Sequence, residues 1–299
     1  QPRSRGLGDV YKRQLYYKEL EKLYGKANYY SMDPFHEGGS TDGVNLDAVG
    51  KAVMKAMKKA NPKAVWVIQA WQANPRPELI RNLETGDLLI LDLTSECRPQ
   101  WGDPESEWYR KDGYGKHNWV YCMLLNYGAN VGLHGKMDNV IDNYYLAKEN
   151  LRARATLKGV GMTPEGIENN PVMYELLMEL PWRPERFTKE DWLKGYVKAR
   201  YGKDEPVLQL AWGKLANSIY NAPKELTQQG THELVFCARP GLDVYQVSSW
   251  SEMKDYYDPQ EVIEAARLMV SVADRYRGNT NFEYDFCLLY TSPSPRDRG

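Results

Sequence analysis

Two segments, Ala64–Trp71 (AVWVIQAW) and Asp87–Leu93 (DLLILDL), are almost continuously apolar and rich in β-branched or aromatic residues. Each is shorter than a typical helix, and neither alternates polar with apolar residues as a surface strand would. The fitting structure is a strand buried on both faces, as in the middle of a parallel sheet covered by helices. Flanking stretches have helical spacing instead: Leu46, Val49, Val53 and Met57 recur within Asn45–Ala60, which Asn61-Pro62 ends. Leu15–Tyr24 predicts a helix stopped by Gly25, and Ala27–Met32 a short strand ending at Asp33-Pro34. Trp119–Tyr127 predicts a further strand and Leu157–Met162 a weaker one. Repeated strand-then-helix order argues for βα units and a parallel sheet, open or closed into a barrel. About five strands are legible, fewer than the eight of a complete barrel.

After Pro171 the pattern changes. Val172–Leu180, Thr188–Tyr201, Pro206–Asn221 and Asp258–Arg275 all read as helices with no apolar strands between them. The last has Asp258 placed to cap it, Pro259 at its first turn and Glu261 three residues after the cap. A boundary near Leu180-Pro181 therefore divides an α/β domain over 15–180 from the start of a helical domain over 181–286.

The ends carry a different signal. Ser4–Gln14 (SRGLGDVYKRQ) and Cys287–Asp297 (CLLYTSPSPRD) can be encoded by DNA strings that are reverse complements of each other, read in shifted frames. Two unrelated protein termini have no reason to share this, whereas a sequencing adapter at both ends of a DNA fragment would. Residues 1–14 and 287–299 are therefore expected to be non-native, and the remainder to be cut from a longer polypeptide.

A formal net charge of −1 offers no electrostatic case for nucleic acid or an anionic membrane. No run approaches the roughly 20 apolar residues of a membrane-spanning helix. Cys97, Cys122 and Cys237 lack zinc-like spacing and read equally as buried thiols or disulfide partners. Oligomeric state is not legible. The aromatic balance is unusual, with 9 Trp and 22 Tyr against 5 Phe. Rings with a polar edge suit stacking on sugars, and they suit a core whose N–H and O–H groups find partners equally well.

In parallel α/β domains the reactive side chains lie just past the carboxyl ends of strands. That selects Asp33, His36 and Glu37 in MDPFHEGG, then Gln69 and Trp71, then Asp92 and Glu96. Asn126, Asn130 and His134 follow in NYGANVGLHG, and Glu165 in GVGMTPEGIENNP. No serine occupies a nucleophile elbow, and no glycine-rich loop has phosphate-cradle spacing. A metal site at His36, Glu37 and His134 is a conceivable alternative, but these residues lack the spacing that puts two histidines on one helix face. Carboxylates at strand ends beside an indole point to glycoside hydrolysis. Read singly, Glu37 and Glu165 could equally be acidic groups at helix N-termini.

These blocks resemble glycoside hydrolase family 89, the α-N-acetylglucosaminidases, from about Tyr29 to Asp285. The resemblance is carried by MDPFHEGG, AVWVIQAW, LLILDL, WVYCMLLNYGANVGLHG and GMTPEGIENNPVMYELLMELPW, and continues through ARYG and SIYNA. It implies a partial (β/α)8-type barrel, its C-terminal part, followed by the start of an all-helical domain. It implies Glu37 as general acid/base and Glu165 as nucleophile of a retaining reaction, with no cofactor and no metal. Trp71 falls near the sugar and Asn126 in a block bordering the pocket; His36, Asn130 and His134 complete the expected substrate contacts. The implied substrate is a glycan ending in α-linked N-acetylglucosamine, and the implied location is secreted, periplasmic or lysosomal. A carbohydrate-binding relative without turnover is the first alternative, and a metal-dependent hydrolase the second.

Overall fold

The computed structural model describes residues 5–37, 40–125, 133–165, 170–224, 241–242 and 256–291. The chain divides into two compact units: residues 1–94, 99–122 and 147–159 form the first, and 95–98, 123–146 and 160–299 the second. Among the described residues no helix is long and apolar enough to cross a membrane.

A sheet of order β1-β2-β3-β4-β5 organises the α/β part: β1 Tyr29–Ser31, β2 Val65–Ala70, β3 Leu88–Asp92, β4 Asn118–Met123 and β5 Leu157–Met162. The first four pair in parallel, in a register that sets Trp66 against Leu88, Ile68 against Ile90 and Ile90 against Trp119. Side chains on this layer (Trp66, Ile68, Ala70, Leu88, Ile90, Trp119 and Tyr121) are fully buried. The opposite layer, Val65, Val67, Leu89, Leu91 and Val120, is only half-buried. Burial on both faces is thus corrected to burial on one, because the five-stranded sheet is open and its second face is only partly covered.

Helix α1 (Arg5–Tyr24) ends where Gly25 takes φ +81° and returns its N–H to the Glu21 carbonyl. Helix α2 (Leu46–Ala60) starts at Asn45, whose side chain accepts from Ala48 N at 3.0 Å. Its apolar stripe, Val53, Met54, Ala56 and Met57, is buried. Gly50 sits on that stripe against α3 (Pro77–Ile80), where an added Cβ would lie 2.0 Å from the Leu79 carbonyl oxygen. Only glycine permits that approach. At the far end of α2, Asn61 donates to Ala27 O and Asn28 Oδ1, fixing the entry to β1. The crossover from β3 to β4 carries no helix; residues 93–117 are turns and bends. Helices α4 (Met137–Glu149) and α5 (Leu151–Thr156) lead into β5.

In the second unit, α6 (Pro171–Glu179) runs through a 3-10 turn at Leu180–Trp182 to α7 (Lys189–Tyr201) and α8 (Pro206–Ala216). Helix α9 (Pro259–Val272) opens as its cap predicts, with Asp258 Oδ1 accepting from Gln260 N at 2.9 Å. The helix expected over Pro206–Asn221 stops earlier, at Ala216; Asn217 caps it and Asn221 pairs with Lys136 instead. Helix α10 (Thr280–Thr291) was not predicted and continues into the segment expected to be non-native. Much of the aromatic excess is core: Trp192 stacks on Tyr196 at 5.0 Å and Trp212 on Tyr220 at 6.1 Å, all buried. Cys97 and Cys122 are buried thiols, and Cys237 lies outside the described residues.

Candidate active site

The exit from β1 is held by its neighbour before any reactive group appears. Trp66 Nε1 donates to Met32 O at 2.6 Å, and Met32 N donates to Val67 O at 3.2 Å. Asp33 then accepts from Gln69 N at 2.6 Å. Burial raises the Asp33 carboxyl above its usual range, against the opposing pull of that backbone bond and of His36. Asp33 is thereby a brace between β1 and β2. Beyond it, Phe35 and Glu37 both take left-handed backbone conformations, φ +62° and +46°. Neither residue type adopts φ > 0 readily, and such strain tends to collect at functional sites. Half-buried His36 lies between them; among the described residues its Nδ1 is buried and unpartnered. The Glu37 side chain is exposed.

Trp71 follows β2 in a tight turn in which Trp71 and Asn74 exchange backbone bonds of 3.2 and 2.9 Å. Gln72 in the middle of the turn has φ +51°, and Asn74 Nδ2 returns to Gln69 O at 2.5 Å. Trp71 is 5% exposed, and its ring meets that of Trp108 edge-on at 4.7 Å and 68°.

Asp92 ends β3 but belongs to the fully buried layer, opposite Ala70 and Tyr121. It accepts from Gln100 N at 3.1 Å. Burial, outweighing bonds from Tyr114 and Gln100 and the charge of Arg110, pushes its carboxyl from 3.8 to about 7. Between those values the native state keeps a proton that the unfolded chain has lost, so this group's contribution to stability falls as pH rises through the window. Neutral Asp92→Asn should remove that dependence. Its melting temperature relative to wild type is expected to be lowest near pH 4 and to climb until about pH 7, then level off. A constant difference across thermal melts in that range would show that Asp92 does not titrate there.

In the second unit, buried Glu96 accepts from Leu124 N at 3.0 Å, tying the start of the crossover to the exit from β4. Burial and the nearby Glu96 charge push the Tyr174 hydroxyl up to about 12. Thr163 closes the exit from β5, its N and Oγ1 both donating to Met123 O at 3.1 and 2.9 Å. Glu165 follows two residues later with an exposed side chain. His134 is 4% exposed, with Nδ1 3.1 Å from the Tyr256 hydroxyl, which itself donates to Ile219 O at 2.7 Å. With that hydroxyl proton already used, the His134 bond requires the Nδ1–H tautomer. Asn126 and Asn130 lie outside the described residues.

Thus Asp33, His36, Glu37, Gln69 and Trp71 collect at the carboxyl ends of β1 and β2 in the first unit, while Glu96, His134 and Glu165 belong to the second. Among the described residues no group of three His, Cys, Asp or Glu side chains gathers as metal ligands would. In the first unit a cavity of about 440 Å³ lined by Trp101, Tyr114, Trp119 and Asn150 opens beside the amino ends of β4 and β5. Trp108 and Arg110 lie far from any strand end in sequence, within the β3–β4 crossover. Their only trace was an aromatic–aromatic–arginine triplet, Trp108-Tyr109-Arg110, in a long loop without helical period.

Comparison with known proteins covers the same segments. The model of the alpha-N-acetylglucosaminidase (NAGLU) tim-barrel domain matches residues 10–184, and that of the corresponding C-terminal domain matches 192–290. Human alpha-N-acetylglucosaminidase is 31% identical over 283 residues, 91% of this chain and 36% of the human protein. A family 89 glycoside hydrolase from Clostridium perfringens, solved with PUGNAc, superposes with a TM-score of 0.77 at 28% identity, over 93% of this chain and 31% of that one. The Clostridium perfringens protein carrying two Glu→Gln changes, solved with its substrate GlcNAc-alpha-1,4-galactose, gives 0.76 at 28% identity over the same shares. The chain spans about a third of the length of these relatives. Parallel strands in this order, the helices that follow them and the matched domain models together place the chain in the alpha-N-acetylglucosaminidase family.

Proposed function

We propose that this chain carries both catalytic carboxylates of a retaining exo-α-N-acetylglucosaminidase, with Glu37 as general acid/base and Glu165 as nucleophile. The observation that carries the reading is their common placement: each follows a strand exit pinned to its neighbour, at Asp33 for β1 and at Thr163 for β5. Both fall within the matched tim-barrel segment, and the relative solved with its GlcNAc-alpha-1,4-galactose substrate has two glutamates replaced by glutamine.

The substrate's stereochemistry explains the need for two enzymic carboxylates. In an α-linked N-acetylglucosaminide the 2-acetamido group lies on the same side as the leaving oxygen. Its carbonyl cannot attack the anomeric carbon from behind, so a protein carboxylate must. Glu165 attacks from the β face and forms a β-glycosyl ester as Glu37 protonates the departing oxygen; Glu37 then deprotonates the water that cleaves the ester. Such a pair requires carboxyl groups about 5–5.5 Å apart. His36, Trp71, Asn126, Asn130 and His134 are the proposed substrate contacts. The natural substrate is a glycan ending in α-linked N-acetylglucosamine, processed outside the cytoplasm or in a lysosome-like compartment.

Activity is proposed for this segment within a polypeptide as long as its relatives, called the full-length protein below. The 299-residue chain alone is proposed to be inactive, in keeping with the part-covered second face of its sheet. The test is turnover of an aryl α-N-acetylglucosaminide by the full-length protein, with the first-formed product followed by NMR. Retention predicts α-N-acetylglucosamine before mutarotation. A first-formed β product, or a folded protein without turnover, would overturn the reading.

A further inference from the structure

Arg110 makes an unusual set of bonds for a loop arginine. Its Nε donates to Gln100 Oε1 at 2.5 Å, Nη1 to Pro75 O at 2.7 Å and Nη2 to Ala73 O at 3.2 Å. Gln100 extends the grip, donating from Nε2 to Gln72 O at 3.3 Å and from its backbone to Asp92 at 3.1 Å. The backbone carbonyls of Gln72, Ala73 and Pro75 all belong to the segment following Trp71, and Arg110 itself lies two residues after Trp108. Arginine's planar fork suits this task, since its donors diverge at fixed angles that a lysine ammonium cannot copy. The turn after β2 and the crossover after β3 are therefore clamped together at the point where the two indoles meet. At 5% exposure, Trp71 has little surface left to offer a ligand, and its ring packs against that of Trp108, a half-buried residue.

We propose that Trp108 supplies the accessible aromatic surface beside the sugar, with Trp71 as its backing, and that Arg110 is the positioning residue that holds the pair in place. The inference rests on the proposed glycosidase reading and on Trp71 lying near the substrate. An indole face packs against the apolar C–H face of a pyranose, and a ring fixed beforehand loses little entropy on binding. Ground-state sugar contacts should appear mainly in KM, whereas loss of a group acting only in the transition state lowers kcat.

The experiment measures kcat and KM for an aryl α-N-acetylglucosaminide, Kd for PUGNAc and thermal stability in the full-length protein. Trp108→Ala is expected to raise KM and Kd about tenfold while kcat stays within about threefold, the pattern of lost uniform binding. Trp108→Phe should recover most of the affinity. Arg110→Lys should shift KM and Kd in the same direction, and adding it to Trp108→Ala should cost no further affinity, because both changes remove one contact. If Trp108→Ala does not fold, Trp108→Leu must show the same split. Unchanged Kd and KM in the ring-less variant of an active protein would overturn the inference and leave the glycosidase reading standing, as would full additivity with Arg110→Lys. A folded wild type that neither turns over nor binds PUGNAc would overturn both.

Discussion

Glu165→Ala in the full-length protein should lose at least about 10⁴-fold in kcat, the scale on which enzymes fall when an acting nucleophile is removed. Added azide should restore part of the turnover and give the β-glycosyl azide. The small anion occupies the space the carboxylate has left and displaces the α-linked leaving group from the same face. Glu37→Ala should respond differently. Its glycosyl ester still forms from an aryl substrate with a good leaving group, but water then lacks its base. Azide needs none, attacks the ester from the α face and yields the α-glycosyl azide. Opposite azide anomers from the two variants would assign both roles in one experiment. Equal turnover in Glu165→Ala and wild type would remove Glu165 from the mechanism, and the same anomer from both would mean that the roles had not been separated.

What was legible in the chain was the scaffold on which those glutamates are placed. The apolar runs at 64–71 and 87–93 became β2 and β3, and the weak run at 157–162 became β5 with the expected bounds. The helix stop at Gly25 and the cap at Asp258 also read correctly, because these signals are local. The faces of the strands were not legible. An apolar run does not reveal which of its alternating positions is better covered; that depends on register and on what packs above the sheet. Asp92 shows the consequence: as the last residue of a strand it met the criterion for a reactive carboxylate, yet the register places it in the buried layer with Trp66 and Ile68.

The β3–β4 crossover was opaque for a related reason. Without a helix it has no periodicity, and its order comes from long-range bonds such as those from Arg110 to Ala73 and Pro75. A side chain whose partners are carbonyls some 35 residues away leaves no sequence pattern. Strand ends could nominate Glu37 and Glu165, but the strain at Phe35 and Glu37 and the Trp71–Trp108 pair arise only in the folded chain.

The helical unit should be most sensitive at Arg200, on α7. Its guanidinium grips Asp285 of α10 with Nε and Nη2 at 2.5 and 2.8 Å and reaches Glu175 of α6 at 2.7 Å. Tyr201 donates to the same Asp285 at 2.8 Å and accepts from Trp212 Nε1 of α8 at 2.8 Å. Burial works against the Arg200 charge, but the Asp285 bonds outweigh it and hold the guanidinium's pKa above its usual value. The side chains of Arg200 and Asp285 are 9% and 2% exposed, so solvent screens the pair little. Arg200→Ala leaves the Asp285 carboxyl buried without its two guanidinium bonds, with the Tyr201 hydroxyl still donating to it. Removing one member of a buried pair typically costs about 3–5 kcal/mol, most of it the penalty on the stranded partner. Asp285→Asn should cost less, since the amide oxygen still accepts from Tyr201 and Arg200 retains Glu175. A double change of Arg200→Met with Asp285→Leu should recover much of the loss, because neither member is then left as an unpaired buried charge. Urea midpoints of the full-length protein should therefore order as wild type, Asp285→Asn, Arg200→Ala, with the double variant above Arg200→Ala. If Arg200→Ala melts with wild type, the helices are held by their apolar faces and aromatic stacks alone, and the ion cluster contributes no net stability.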